Sequence, residues 1–360
     1  MLLAAGLGRR LLPLTWTVPK PALPILGRPI AVEILRRLRR YGVEEAVMNL
    51  HHLPGAVRDL LGEENRGCTP VVRFSFEPTI LGTGGGIGNA APLLRGAGPI
   101  LVHNCDFLSD IDLASVVRAH RASGLLATLV VAPPRRGYAR VEVDAAGRIL
   151  SLAGLPEVDP GRVTARYLFT GCHVIDERVL DLIPADRASS IVSDVYRDLA
   201  SRGQLGSFVH DGFWWEFGTP EQYLEGSLRL LDLPPEQRFE IASHDPVRKV
   251  GGGIAAIGAG ATVQEGVRIE GRVALGLASL VGRDASLRDS VVLAETWIGP
   301  GSRLERAVVG LDVEIPAGFR ARNVLVAGVE GSEGQPATPG VRREGDLLIY
   351  DFDTRAQGRE

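Results

Sequence analysis

Residues 2–30 read LLAAGLGRRLLPLTWTVPKPALPILGRPI, and the reading of this stretch decides the rest. The apolar run Leu2, Leu3, Ala4, Ala5 gives way at once to Gly6-Leu7-Gly8 and then to Arg9-Arg10; Lys20 follows between Pro19 and Pro21. Small residues at a strand end let the backbone approach a ligand, because no Cβ stands in the way. A glycine turn also aims N–H groups at an anion, and Arg10 and Lys20 add full positive charges. Prolines at 13, 19, 21, 24 and 29 deny the loop a regular helix. A bare Gly-x-Gly occurs in many surface turns; the whole run is far more specific.

With 360 residues, two domains are expected. A net charge of −3 with both signs interspersed argues against nucleic acid or an anionic membrane as partner. Three cysteines (Cys68, Cys105, Cys172) without CxxC pairing argue for a reducing compartment and against a zinc site. No apolar run approaches the about 18 residues of a membrane span, and no basic-then-apolar leader opens the chain. A cytoplasmic protein is expected. The first strand is short for the centre of a sheet, where about 5–6 residues are usual, so a natural start a few residues upstream is expected.

Outward from the loop, strands alternate with helices. Residues 29–41 put Ile30, Val32, Ile34, Leu35 and Leu38 on one helical face. Strands are expected at 44–50, 71–76, 99–104, 125–132, 139–143, 167–175 and 206–210. Helices are expected at 53–62, 177–183 and 190–202, from near Gly86, and up to about Leu231. This alternation implies a parallel sheet covered on both faces, and such sheets bind ligands beyond the carboxyl ends of their strands. The Gly6 loop, Glu77 and Asp106 each follow a strand.

From 251 the texture changes. Ile257, Val263, Ile269, Leu275, Val281, Leu287 and Leu293 recur every six residues; after a one-residue slip the spacing resumes at Ile298 and Leu304, and again at Val309 and Ile315. A period of six with glycine nearby marks a hexapeptide β-helix. All seven histidines precede residue 251, so this part lacks the histidine base that hexapeptide acyltransferases often use; its flat faces suit self-association, and a homo-oligomer is expected. The expected boundaries are 1–232 for a catalytic domain, 233–250 for a linker, 251–330 for the β-helix and 331–360 for a polar linker and tail, in which only 347–352 could form a strand.

The run LAAGxGxRLxPLTxxxPKPxxPxxGxP resembles the signature of the sugar-1-phosphate nucleotidyltransferases, the sugar-nucleotide pyrophosphorylases. Leu3 to Gly8, Arg10, Leu11, Pro13 to Thr15, Pro19 to Pro21, Pro24, Gly27 and Pro29 match, and Arg9 stands where Thr or Ser is usual. The resemblance is to the mannose-1-phosphate guanylyltransferase and N-acetylmuramate-1-phosphate uridylyltransferase type. It implies a Rossmann-like, mixed and mostly parallel α/β sheet covered by helices (the nucleotide-diphospho-sugar transferase fold), followed by a left-handed β-helix. The implied reaction is attack of a sugar-1-phosphate oxygen on the α-phosphorus of an NTP, with release of pyrophosphate.

The resemblance assigns roles residue by residue. Leu3, Ala4, Ala5, Gly6, Gly8, Arg10, Glu77, Gly82, Thr83, Gly84 and Asn104 would hold the nucleotide. Arg10, Lys20 and Asp106 would be catalytic, with Asp106 on Mg²⁺ in the His103-Asn104-Cys105-Asp106 run. Trp215-Glu216-Phe217-Gly218-Thr219-Pro220 matches W-x-D-x-G-T-P with Glu216 in place of the second metal-binding Asp. Lys20, Thr170, Gly171 and Trp215 would meet the sugar phosphate; the usual E-K-P lysine is absent, Leu155-Pro156-Glu157 being the nearest stretch. Bringing two polyanions together calls for cations, backbone donors and a divalent metal more than for a general base. Arg9 could reinforce the triphosphate site or point to water. Cys105 reads as a small filler, His103 as a local packing residue, and Asp110 and Asp112 as caps of the next helix. The departures at Arg9, Cys105 and Glu216 leave a second reading, a catalytically weak nucleotide-sugar-binding regulatory subunit.

Overall fold

The computed structural model describes residues 1–64, 69–96, 98–185, 187–242, 246–333 and 338–353; Cys68 lies outside them. Contacts divide the chain into two compact units. One comprises Met1–Gly6, Ile34–Cys105 and Ser109–Trp214; the other comprises Leu7–Glu33, Asp106–Leu108 and Trp215–Glu360.

The first unit is built on one mixed sheet. Its strands are β1 (Leu2–Leu3), β2 (Glu45–Leu50), β3 (Val71–Phe76), β4 (Ile100–Asn104), β5 (Ala127–Ala132), β6 (Arg140–Val143), β7 (Ile149–Leu152), β8 (Ala165–Ile175) and β9 (Leu205–Val209). The order runs β7-β6-β8-β4-β1-β2-β3, with β5 pairing both β8 and β9. Pairing is parallel through β3, β2, β1 and β4 and antiparallel along β8. β2 and β5 are mostly apolar, and β5 is buried at every position, as strands covered on both faces require. Ile87, Val102, Leu129, Val131, Ile175, Val195 and Leu199 meet in the core.

Three local expectations change. The glycine-rich helix starts at Gly82, not near Gly86, because the carbonyl of Ser189 accepts the N–H groups of Gly84 and Gly85, which a helix's first turn otherwise leaves unpaired. The helix expected at 190–202 is a π-turn, Ile191–Tyr196, followed by an α-helix, Arg197–Ser201. Asp112 caps the helix Leu113–Ser123 by accepting from Ser115 N, whereas Asp110 lies 3.2 Å from His210 Nε2 instead. β7 lies outside the strands expected from the sequence; Ile149-Leu-Ser-Leu152 is short and its pairing is interrupted by a bulge.

His173 is the costly residue of this core. It is 1 % exposed, neither ring nitrogen has a partner among the described residues, and its ring sits 5.5 Å from the rings of Phe169 and Tyr196. Burial pushes its pKa from 6.5 down to about 3. Below about pH 6.5 the unfolded chain therefore takes up a proton that the fold refuses. Stability should fall as the pH drops from about 6.5 towards about 3, at up to ~1.4 kcal/mol per pH unit. His173→Phe should flatten that part of the curve in urea titrations at several pH values; an unchanged slope would show that other groups set it.

The second unit contains the proline-rich loop and the repeats. Three single 3-10 turns, Arg9–Leu11, Leu14–Trp16 and Lys20–Ala22, replace the helix that the prolines forbid. Beyond 251 the chain coils. Val263 pairs with Val281, Val281 with Ile298 and Ile298 with Ile315, all parallel. Ile269, Leu287, Leu304 and Ala321 form a second parallel ladder. Each coil thus takes 18 residues at first and 17 afterwards. Corners stack too: left-handed backbone recurs at Ala278, Glu295 and Asp312, at Asp284, Gly301 and Gly318, and at Asp289, Arg306 and Asn323. The ladder corrects the position of the slip. Leu275 pairs with Val292 rather than Leu293, the register shifting between Glu270 and Val273, so the dropped residue lies ahead of Val292. Leu293 is buried all the same.

Both ends of the long ladder are closed by antiparallel strands: Val247–Val250 on Gly252–Ile257, and Leu347–Asp351 on Arg320–Gly328, with Val341–Glu344 outside it. The stretch 233–250 also holds a helix, Pro235–Ile241. The helix Pro220–Asp232 packs on coil strands and is tied to them by Arg272–Asp232 (2.7 Å) and Arg306–Glu225 (3.0 Å). Among the described residues no helix is long and apolar enough to cross a membrane.

Candidate active site

In the first unit, the ends of β1, β2 and β3 are joined by one hydrogen-bonded chain. Ala4 N donates to Asn49 Oδ1 (2.7 Å), Asn49 Nδ2 to Glu77 Oε1 (2.6 Å), and Leu81 N to Glu77 Oε2 (3.0 Å). Asn49 and Glu77 are 2 % and 4 % exposed. Both carboxylate oxygens of Glu77 are thus used inside the protein. Leu3 is half-buried, and Ala4 and Ala5 are buried. A Cβ added to Gly6 would meet nothing within 4 Å, so packing does not demand that glycine.

The glycines of the 82–86 run have other reasons. A Cβ on Gly82 would lie 2.6 Å from Ser189 O, on Gly84 2.7 Å from Ser189 Oγ, and on Gly86 2.5 Å from Asn49 Nδ2. Close packing against the 189–191 segment accounts for Gly82 and Gly84, and packing against Asn49 and Glu77 for Gly86. Thr83 Oγ1 accepts from Ile191 N (3.0 Å).

On the other side of β4, Asn104 packs against Gly171, where a Cβ would come within 2.7 Å of Nδ2; Gly171 has φ 85°. Thr170 is buried, its hydroxyl donating to Val130 O (2.8 Å), and its carbonyl accepts from Trp214 Nε1 (3.0 Å). A side-chain contact from Thr170 to a sugar is therefore already spent; its backbone and Gly171 are what the segment offers. His103 donates from Nδ1 to Asn104 O (2.6 Å), the local bond expected of it.

In the second unit, the two cations of the loop meet two carboxylates from distant segments. Lys20 Nζ lies 2.9 Å from Asp106 Oδ2, and Arg10 Nη2 2.9 Å from Glu216 Oε1. Lys20 and Asp106 are largely buried side chains, 13 % and 25 % exposed, whereas Arg10 is 59 % exposed. Phe217 N donates to Asp106 O (2.7 Å), which ties the two carboxylate-bearing segments together. Gly8 has φ 63° and supports Thr15, whose hydroxyl donates to Gly8 O (2.9 Å). Arg9 is exposed.

The loop's far end is pinned by Tyr223, which donates to Pro24 O from the helix Pro220–Asp232; burial pushes its phenol up. That helix also holds Trp215: the indole N–H donates to Gln222 O (2.8 Å), and the Arg229 guanidinium lies 4.4 Å from the ring centroid. Gly218 lies beside the Arg10–Glu216 pair: a Cβ there would lie 2.5 Å from Glu216 Oε1 and 3.0 Å from Arg10 Nη2, so a larger residue would displace those side-chain ends.

The donor set can be tested against a metal. Among the described residues no group of three or more His, Cys, Asp or Glu could hold one. Two carboxylates on tied segments fit Mg²⁺, which is often held by one or two carboxylates while phosphates and waters supply the rest; they do not fit zinc.

Sequence reading missed Asn49, Ser189 and Tyr223. For Asn49 a signal existed, a lone amide near the end of the otherwise apolar strand 45–50; Ser189 and Tyr223 act through long-range contacts that carry no local mark.

The pattern described as "Nucleotidyl transferase" matches residues 1–232. The chain is 30 % identical over 329 residues to a mannose-1-phosphate guanylyltransferase of Mycobacterium tuberculosis, covering 88 % of this chain and 81 % of that protein. It is 28 % identical over 333 residues to a UTP–glucose-1-phosphate uridylyltransferase of Synechocystis, covering 84 % and 85 %. The crystal structure of HddC from Yersinia pseudotuberculosis superposes with a TM-score of 0.53 at 22 % identity, over 63 % of this chain and 97 % of that one, a likeness of fold alone.

Proposed function

The chain belongs to the nucleotidyl transferase family and is a sugar-1-phosphate nucleotidyltransferase, and from that premise we propose that it joins GTP to mannose 1-phosphate with release of pyrophosphate. The relative at 30 % identity favours this pair; the uridylyltransferase at 28 % keeps UTP with glucose 1-phosphate as the second reading.

The observation that carries the proposal is the double pairing of Lys20 with Asp106 and Arg10 with Glu216. The two pairs set opposite charges side by side, and a triphosphate with its divalent ion offers each member a new partner of the opposite charge. Arg10, whose planar guanidinium can span two phosphate oxygens, suits the leaving pyrophosphate. Lys20, packed and compact, suits the α-phosphate or the sugar phosphate. Asp106 and Glu216 would hold Mg²⁺, which supplies charge neutralisation at the phosphates. The sugar-phosphate oxygen then forms the new bond to the α-phosphorus as the bond to the bridging α–β oxygen breaks, and pyrophosphate carries the electron pair away. The backbone at residues 3–6, the loop 77–84 and Asn104 serve the nucleotide, and the backbone of Thr170 and Gly171, with Trp215, the sugar side. Magnesium, these residue roles, a cytoplasmic setting suited to the buried free thiols Cys105 and Cys172, and self-association through the coil are parts of the same proposal.

Pyrophosphate release measured with Mg²⁺, four NTPs and several sugar 1-phosphates tests it. GTP with mannose 1-phosphate should give the highest kcat/KM. Higher turnover with UTP and glucose 1-phosphate would shift the assignment to the second reading, and no turnover with any pair would favour a regulatory, nucleotide-sugar-binding subunit.

A further inference from the structure

We propose that Asn49 and Glu77 are positioning residues for the nucleotide base, acting through the backbone of Ala4 and Leu81; the inference rests on the nucleotidyltransferase reading above. Three consecutive bonds join the two segments assigned to the base. They run from Ala4 N to Asn49, from Asn49 to Glu77, and from Leu81 N back to Glu77. Glu77 is held a second time, since its carbonyl receives a hydrogen bond from His51 Nδ1 (2.8 Å). Gly86 leaves room for the pair, as a Cβ there would lie 2.5 Å from Asn49 Nδ2 and 2.7 Å from Glu77 Oε1.

The chemistry of the pair separates positioning from packing. Glu77 is a buried carboxylate that forms no ion pair among the described residues. Such a group is costly, and an apolar residue fills space at lower cost. What the carboxylate supplies is two acceptors at fixed angles, one for an amide and one for the N–H that precedes the helix Gly82–Asn89. Polarity is set along the whole chain: Asn49 must turn Oδ1 to Ala4 and Nδ2 to Glu77. Reversing any one group places donor against donor or acceptor against acceptor.

That polarity yields a test with a built-in rescue. Glu77→Gln must set an N–H against either Leu81 N or Asn49 Nδ2. Asn49→Asp sets two carboxylates in contact. The double variant N49D/E77Q remakes all three bonds: Asp accepts from Ala4 N and from the new amide, whose oxygen accepts from Leu81 N. GTP affinity by calorimetry without sugar phosphate, KM for each substrate, and urea unfolding would be measured on the full chain.

For Glu77→Gln we expect GTP affinity and KM to weaken about tenfold, the size of one unsatisfied buried partner, with kcat and the sugar-phosphate KM within about twofold of wild type. The double variant should return to within about threefold in GTP affinity, whether or not Asn49→Asp alone folds. Wild-type GTP affinity in folded Glu77→Gln, a folded double variant no better than Glu77→Gln, or equal weakening of both substrates in step with lost stability would each overturn the proposal. A wild-type chain that binds no NTP would overturn the nucleotidyltransferase reading and this one with it, a result distinct from the other three.

Discussion

Replacing Asp106 by Asn should lower turnover by about a thousandfold or more while leaving the fold in place. A thousandfold corresponds to about 4 kcal/mol of lost transition-state stabilisation, in the range expected when a carboxylate that anchors a divalent ion among phosphates is removed. The stability cost is smaller. The Lys20–Asp106 pair at 2.9 Å is partly buried, and stranding Lys20 beside a neutral amide costs about 1–3 kcal/mol. Two measurements separate the effects: unfolding in urea reads the loss of the pair, and the Mg²⁺ dependence of pyrophosphate release reads the loss of the anchor. Near-normal rates would remove Asp106 from the metal site. Unfolding of the variant under assay conditions would assign the residue a structural role instead.

Gly226→Ala should cost both stability and activity, although helix propensity points the other way. In an exposed helix the change would gain up to about 1 kcal/mol. Here a Cβ would run into the indole of Trp215 and lie 2.5 Å from Phe217 Cε1. Overpacking of that kind costs about 1–3 kcal/mol, so the balance turns destabilising. The two rings flank Glu216, which pairs with Arg10 at 2.9 Å, so a displaced ring carries the Glu216 backbone with it. A shift near 1 Å at Glu216 should lower kcat by about a hundredfold. A variant with raised stability and unchanged kcat would show that the rings yield elsewhere.

Much of this protein is legible along the chain. Strands 45–50 and 71–76 are rich in apolar and β-favouring residues between polar turns, and their limits agree with expectation to within a residue. The coil is legible because its period repeats: Val263, Val281, Ile298 and Ile315 stack as their spacing requires. Even so, the place of the one-residue slip emerged only from pairing, since Val292 and Leu293 are both apolar and both buried and the pattern cannot choose between them. Short strands such as Ile149–Leu152 give too few residues for a period to show.

By itself the sequence determined the chemistry on offer: a glycine turn, two cations in a loop that cannot be helical, carboxylates at 106 and 216, and a repeat that must coil. Those are properties of residue type and spacing, which act locally. Only the tertiary structure decided which groups are spent and which are available. It buried both oxygens of Glu77 against Asn49 and Leu81, assigned the glycines at 82, 84 and 86 to close packing and left Gly6 open. It also brought Lys20 to Asp106 and Arg10 to Glu216 across separations of 86 and 206 residues. The physical reason is that a hydrogen bond or an ion pair depends on distance in space, and partners this far apart in the chain leave no trace in any window of sequence.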